Sequence, residues 1–361
     1  MIPVLWRYIA ANYLKTFFLS LTTFVLVLLI SRFKEIARLA AITGQPLKIG
    51  LFVVYQIPFI LPMAIPLSAL IAAFLLFQQM SQTHELTALR ASGLSFKKIL
   101  SPLLVIASFV TLANFSISGD IAPYCKRESK LILFKETIGN PTTCFKNTNF
   151  LKQNDVYLKG KMNEATGEIS PITLVVANKK NHMLNLISAQ SLHIQKDQIK
   201  GTDISIVSHL DGEANQFDPL VIETQKTMFM DSDNLELVFK KNRPKPDGST
   251  LSFRMLMNQI QEKNQSAKSA TSEILRRTSF AVSVLSFTLL GAIFGIEQGR
   301  SPSKKRIIYL MLLILLALSS FFLGKSLKYN PTIAGIVYLL PHLLMWIGCF
   351  AQLKKIKRGL T

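Results

Sequence analysis

Basic side chains set in pairs and triplets at the ends of long apolar runs are the most chemically pointed feature of this sequence. Arg32, Lys34 and Arg38 follow one run, Arg276 and Arg277 precede another, and Lys325 and Lys328 follow a third. Guanidinium forks suit phosphate oxygens, and an ammonium adds a compact point charge beside them. Arg38 lies four residues from Lys34, so a helix would set both on one face. Two readings fit these cations: contact with phospholipid headgroups, with Glu35 as a local counter-ion, or a site for an anionic amphiphile whose phosphates sit at the membrane edge. A second pointed feature is Glu85, the one acid in basic loop 85–98, which also carries Arg90, Lys97 and Lys98. His84 to Arg90 reads as a short helix, with Gly93 placed as its C-terminal stop. Glu85 either pairs with a neighbouring base or docks from the helix tip into a partner's basic groove.

Other chemistry is missing. There is no G-x-x-x-x-G-K-[ST] loop, no G-x-S-x-G and no H-E-x-x-H, so the sequence predicts no ATPase, hydrolase or metalloprotease centre in this chain. The five histidines (His84, His182, His193, His209, His342) show no metal-ligand spacing, and no metal is expected. Cys349 falls within the last apolar run; Cys125 and Cys144 fall outside the runs, where a disulfide is open if the compartment is oxidising. An ion-coupled carrier would need acids at membrane depth. The three acids outside 119–275 (Glu35, Glu85, Glu297) all lie at the ends of apolar runs, which weakens that reading.

The elements that must position these residues are membrane helices. Six stretches lack Asp, Glu, Lys and Arg: 16–31, 49–84, 99–119, 278–296, 307–324 and 329–353. A hydrocarbon core about 30 Å thick needs roughly 20 apolar residues as helix. The first run resembles a signal peptide in its charged flank, but Arg32, Lys34 and Arg38 follow where a small-residue cleavage site would be, favouring an uncleaved helix. The second run is too long for one simple span and holds Pro58, Pro62 and Pro66 at i, i+4 and i+8. It is either one long kinked helix or a re-entrant hairpin, and a hairpin would invert everything downstream. The formal charge of +20 is uneven: 119–275 holds 20 Lys/Arg and 18 Asp/Glu, the remainder 21 and 3. Because the positive charge flanks lipid-length runs, lipid is the expected anionic partner rather than nucleic acid. With one crossing at 49–84, 13 basic residues face the cytoplasm and eight the opposite rim (Arg32, Lys34, Arg38, Lys48, Arg276, Arg277, Lys325, Lys328). The positive-inside rule then sets both termini in the cytoplasm and 119–275 outside. Gly291-x-x-x-Gly295 and the Ala64, Ser68, Ala72 series permit close helix approach, within the chain or to a second subunit.

Between the third and fourth runs, short alternating stretches replace the apolar blocks. Asp155–Lys159, Ile172–Ala177, Leu184–Gln195, Ile204–His209 and Val221–Met230 read as strands separated by Asn/Asp/Gly/Lys clusters. The expected fold is therefore an α-helical membrane protein of six spans with an inserted all-β, antiparallel, jellyroll-like domain. Residues 1–118 hold spans 1–3 with cytoplasmic loop 79–98. Residues 119–275 hold the β domain with a helix entering through about Thr137 and a return helix over Phe253–Arg277. Residues 276–361 hold spans 4–6 and a basic tail.

Glu85-Leu-Thr-Ala-Leu89-Arg-Ala91-Ser-Gly93-Leu94-Ser95 resembles the motif E-L/I-x-x-[LM]-x-A-x-G-[LVF]-[ST] of the lipopolysaccharide-export permease family (LptF/LptG). The proline-bearing segment 60–77, the Arg7-Tyr8 opening and the layout of the whole chain are similar too. Glu273-x-x-x-Arg277, Gln298-Gly299-Arg300 and Phe322…Ser326-Leu327-Lys328 resemble the F-type branch, although the loop after helix 4 is shorter on proline and ends in Lys304-Lys305-Arg306. The resemblance implies a non-catalytic permease subunit of an ABC transporter in a Gram-negative inner membrane. Its implied partners are an LptG-type paralogue, a homodimeric LptB-type cytoplasmic ATPase, LptC/LptA-type periplasmic bridge proteins and lipopolysaccharide. ATP would bind on the ATPase, and this chain would hold no cofactor. Glu85 matches the glutamate of the ATPase-coupling helix, with His84, Arg90 and Gly93 around it. Arg32, Lys34, Arg38, Arg277 and Lys325 fall where cations would meet lipid phosphates. A scaffold anchoring a periplasmic β domain and a proton-coupled lipid flippase are the alternatives; the scaffold leaves the Glu85 loop without a purpose.

Overall fold

Residues 49–82 of charge-free run 49–84 lie within a single unbroken helix in the computed structural model, so the hairpin alternative falls away. The structure describes residues 4–139, 150–153, 156–160, 170–177, 184–195, 198–209, 220–231, 247–261, 265–296 and 304–357. Ahead of the β strands stand α1 (Val4–Ile30), α2 (Phe33–Ile42), α3 (Pro46–Gln82), α4 (Glu85–Ala91), α5 (Phe96–Ser116) and α6 (Ala122–Gly139). A π turn at Ile117–Ile121 joins α5 to α6 without a break, and α6 runs to Gly139, close to the expected Thr137. After the strands come a 3₁₀ turn (Gly248–Thr250), α7 (Phe253–Gln261), α8 (Gln265–Phe294), α9 (Lys304–Ser326) and α10 (Pro331–Lys357). Among the described residues, six helices are long and apolar enough to cross a membrane, one for each charge-free run.

Helix α3 has 37 residues and keeps Pro58, Pro62 and Pro66 inside it. At 1.5 Å per residue it is about 55 Å long, more than a bilayer core requires. Each proline lacks an N–H, so the carbonyl four residues earlier loses its helical partner. Lipid offers no replacement, so a neighbouring side chain must. Asn114 of α5 does this for one of them: its Nδ2 donates to Pro62 O at 3.5 Å and to Phe280 O of α8 at 2.9 Å.

The chain divides into two compact units. The first comprises Met1–Phe33, Val53–Glu128 and Pro246–Thr361, and α8 is its axis. Its core joins Phe77 and Met80 of α3, Ile99 and Leu103 of α5, Val284, Phe287 and Leu290 of α8, and Met345 and Cys349 of α10. Phe280 of α8 stacks on Phe321 of α9 at 4.2 Å. Hydroxyls on α8 also reach out of it: Ser279 bonds His342 Nε2 at 2.9 Å, Ser286 accepts from Trp346 Nε1 at 3.1 Å, and Thr288 meets the Tyr13 hydroxyl at 3.5 Å.

The second unit comprises Lys34–Phe52 and Ser129–Lys245. Its described strands are β1 (Phe150–Gln153), β2 (Val156–Lys159), β3 (Ile172–Ala177), β4 (Leu184–Gln195), β5 (Gln198–His209) and β6 (Leu220–Asp231). They form one antiparallel sheet in consecutive order. Register aligns Leu158, Leu174, Ile187 and Ile206 across the sheet, and Ile172, Ala189 and Ile204 in the next row. The latter three are buried, so this face carries a core. The five expected strands are present, but KDQIKG, read as a turn, contributes Gln198–Gly201 to β5. The described strands are a meander; jellyroll closure lies beyond what they show. Cys125 is buried with a free thiol, and Cys144 lies outside the described residues.

Gly291 and Gly295 hold α8 against α3. A Cβ on Gly291 would strike the Leu70 carbonyl oxygen, and one on Gly295 the Phe74 carbonyl oxygen. The pair therefore serves packing inside the chain. Gly291→Ala and Gly295→Ala should each lower the melting temperature, by about 1–3 kcal/mol of overpacking. Helix propensity alone favours alanine by roughly 1 kcal/mol. A raised melting temperature would thus show that the two backbones do not touch.

Candidate functional site

The seven-residue helix α4 is held at both ends by left-handed residues. His84 precedes it at φ 58°, and Gly93 follows it at φ 84°. At the C-terminus, Leu94 N donates to Leu89 O at 3.2 Å and Gly93 N to Arg90 O at 3.0 Å. These are the two bonds of a Schellman motif, whose αL position favours glycine because it has no Cβ. Helix α4 sets Leu86, 5% exposed, into the core, with Leu89 and Leu94 packed partly against it. A segment too short to be a stable helix in isolation is thereby fixed by a C-terminal cap and one apolar face. Arg90, His84 and Gly93 are exposed and Glu85 is half-buried. Both carboxylate oxygens of Glu85 accept from the Tyr8 hydroxyl of α1, at 3.2 and 3.0 Å.

The expected phosphate-binding cations are not equivalent. Arg32 is half-buried, its guanidinium 4.9 Å from the Phe59 ring centre, and Lys126 approaches the same ring at 4.5 Å. Both are cation–π distances. Lys34 and Arg38 on α2 are exposed, as is Lys325 at the end of α9. Lys48 pairs with Glu136 at 2.6 Å. Arg277 is 1% exposed. Its Nη1 donates to Gly119 O at 2.9 Å, its Nη2 to Gly248 O at 3.1 Å and Leu251 O at 2.8 Å, and its Nε to Glu273 at 3.1 Å. Glu273 also takes a forked pair from Arg276, Nε at 2.8 Å and Nη2 at 2.5 Å. Arg277 therefore ties the π turn, the 3₁₀ turn and α8 together, and a phosphate could reach it only by breaking those bonds. The structure shows it in a bracing role.

Sequence reasoning quoted Tyr8 only as part of the Arg7-Tyr8 opening, without its contact to Glu85, and did not find Asn114 or the buried polar seam between α8 and α10. Tyr8 lies 77 residues from Glu85, and no local spacing signals such a contact. His342 was weighed only as a metal ligand, yet it is buried against Ser279, with Nδ1 unpartnered among the described residues.

Six apolar helices with an antiparallel sheet inserted between the third and the fourth define a multi-pass membrane protein. Residues 7–355 match the family model described as the lipopolysaccharide export system permease LptF/LptG, and the chain belongs to that family. Its role is that of a permease in lipopolysaccharide export. The match is to the joint family and does not separate its two branches. No curated protein matched the chain.

Arg277→Ala should strand Glu273 and three carbonyls and destabilise the protein by about 3–5 kcal/mol, the scale for breaking a buried ion pair. Arg276→Ala should cost less, because its side chain is 23% exposed and Glu273 would keep Arg277. Thermal melting of the two variants checks the ranking. An Arg277 variant that melts like the parent but loses lipid would restore the phosphate role.

Proposed function

We propose that this chain is a non-catalytic subunit of an ABC transporter that extracts lipopolysaccharide from the inner membrane and delivers it to a periplasmic bridge. The observation carrying this reading is α4, a C-terminally capped, core-anchored helix with the half-buried carboxylate of Glu85 at its start. Such a helix can transmit force, because it cannot move without the helices beneath it. A cytoplasmic homodimeric ATPase of the LptB type binds there and supplies ATP hydrolysis. A second permease of the LptG type completes the transmembrane cavity, and this chain is the F-type subunit. Both termini are cytoplasmic, and residues 119–275 are periplasmic, where they meet bridge proteins of the LptC/LptA type. Continuity of α3 supports this orientation, since a single crossing there leaves the larger share of basic residues inside.

Arg32, Lys34, Arg38 and Lys325 form the lipid-phosphate set. Each follows an apolar run in the sequence, the pattern that a phosphorylated, acylated amphiphile requires. Arg277 supports the site by holding the start of α8.

Glu85→Ala and Glu85→Lys are expected to lower lipopolysaccharide-stimulated ATP hydrolysis in the assembled complex, with melting unchanged. Undiminished export by either variant would remove Glu85 from coupling. Reversing Arg32 and Lys34 together to Glu should weaken photo-crosslinking of lipopolysaccharide at the end of α1. Equal crosslinking would return these cations to ordinary headgroup contact.

A further inference from the structure

We infer that Tyr8 is the positioning residue for Glu85, presetting the carboxylate for the ATPase and tying helix α1 to the coupling helix. The inference rests on the coupling role proposed above for Glu85 and adds to it a residue from a different span. Helix α1 buries Ile9, Tyr13 and Phe17, spaced i, i+4 and i+8, which fixes its rotation about its own axis. Tyr8 stands beside Ile9 at the edge of that buried face and is 41% exposed. From there its hydroxyl spans both oxygens of Glu85, at 3.2 and 3.0 Å. A phenol has one proton, so the bond is shared across the two oxygens and points the carboxyl group in one direction. The hydroxyl covers only part of the acceptor capacity, since an ionised carboxylate has about four lone-pair sites. The rest can accept from a cation on a partner.

The backbone around Glu85 is already restrained by the left-handed residues His84 and Gly93, and Leu86 is fixed in the core. What remains loose in a glutamate is its side-chain torsions, and Tyr8 restrains these. A side chain ordered before docking loses less entropy on binding, so its contribution is read in affinity. Because Tyr8 belongs to α1, displacement of Glu85 by a docked ATPase also acts directly on the first span.

The test titrates the cognate ATPase into the full permease complex in lipid nanodiscs containing lipopolysaccharide and reads stimulated hydrolysis. Tyr8→Phe keeps the ring and removes one partly exposed hydroxyl. It should raise the ATPase concentration for half-maximal stimulation on the order of fivefold, the typical net value of one ordinary hydrogen bond. The rate at saturation and the melting temperature should stay close to the parent's. Glu85→Ala should raise the same concentration, and adding Tyr8→Phe to it should have no further effect. An unshifted Tyr8→Phe beside a shifted Glu85→Ala would overturn the positioning role and leave the docking role intact. Additive shifts would also overturn it, because Tyr8 would then act apart from Glu85. An unshifted Glu85→Ala would overturn both.

Discussion

A backbone within lipid has only its own chain to bond with, and this constraint governs α3 and, through α3, the rest of the molecule. A hairpin at Pro58, Pro62 and Pro66 would expose several unpaired groups at membrane depth. A continuous helix exposes only the carbonyls that the prolines release, and Asn114 meets one of them at Pro62. The less costly solution is the one adopted. Its length carries the chain from the segment that joins the β unit at Pro46–Phe52 to the loop that bears α4.

Helix α8 supplies the second constraint. It approaches α3 closely enough that glycine is required at 291 and 295, receives Asn114 from α5, and exchanges hydrogen bonds with His342 and Trp346 of α10. Near its start, Glu273 and Arg277 fasten it to the π turn and to the 3₁₀ turn. Lipid tails are as apolar as leucine, so the hydrophobic effect adds little to association between spans. Close backbone approach and buried polar contacts must do that work, and on α8 both are concentrated.

Much of this architecture was legible in the sequence because its signals are local. Charge-free runs reported six spans, period-2 alternation reported five of the six described strands, and Gly93 reported the end of α4. The boundary of β5 was misread because Lys and Gln at 196–200 carry turn composition, while cross-strand pairing to β4 overrides it. The GxxxG pair on α8 was ambiguous because small residues announce close packing without naming the partner; α3 is the partner. Contacts that join distant spans left no trace. Tyr8 with Glu85 and Asn114 with Phe280 depend on how helices are rotated about their axes, which no spacing within one segment encodes.

Arg277 shows the same limit from the side of charge. Counting by segment assigned eight cations to one rim and treated 119–275 as neutral on its own. Ion pairs cross that division: Glu273 is counted with the neutral segment yet holds Arg276 and Arg277, and Glu136 does the same for Lys48. Three of the eight cations therefore have carboxylate partners from the segment that appeared self-balanced. The cation excess of that rim is therefore smaller than the formal count, and the other five cations are Arg32, Lys34, Arg38, Lys325 and Lys328. Of these, Arg32 lies against Phe59 and Lys328 against Tyr329, where an aromatic face orients a cation. A cation held in this way keeps its attraction for a phosphate, whereas one locked to a carboxylate has spent it. Under the proposed function, that contrast separates the cations locked to carboxylates, Lys48, Arg276 and Arg277, from those assigned to the lipid.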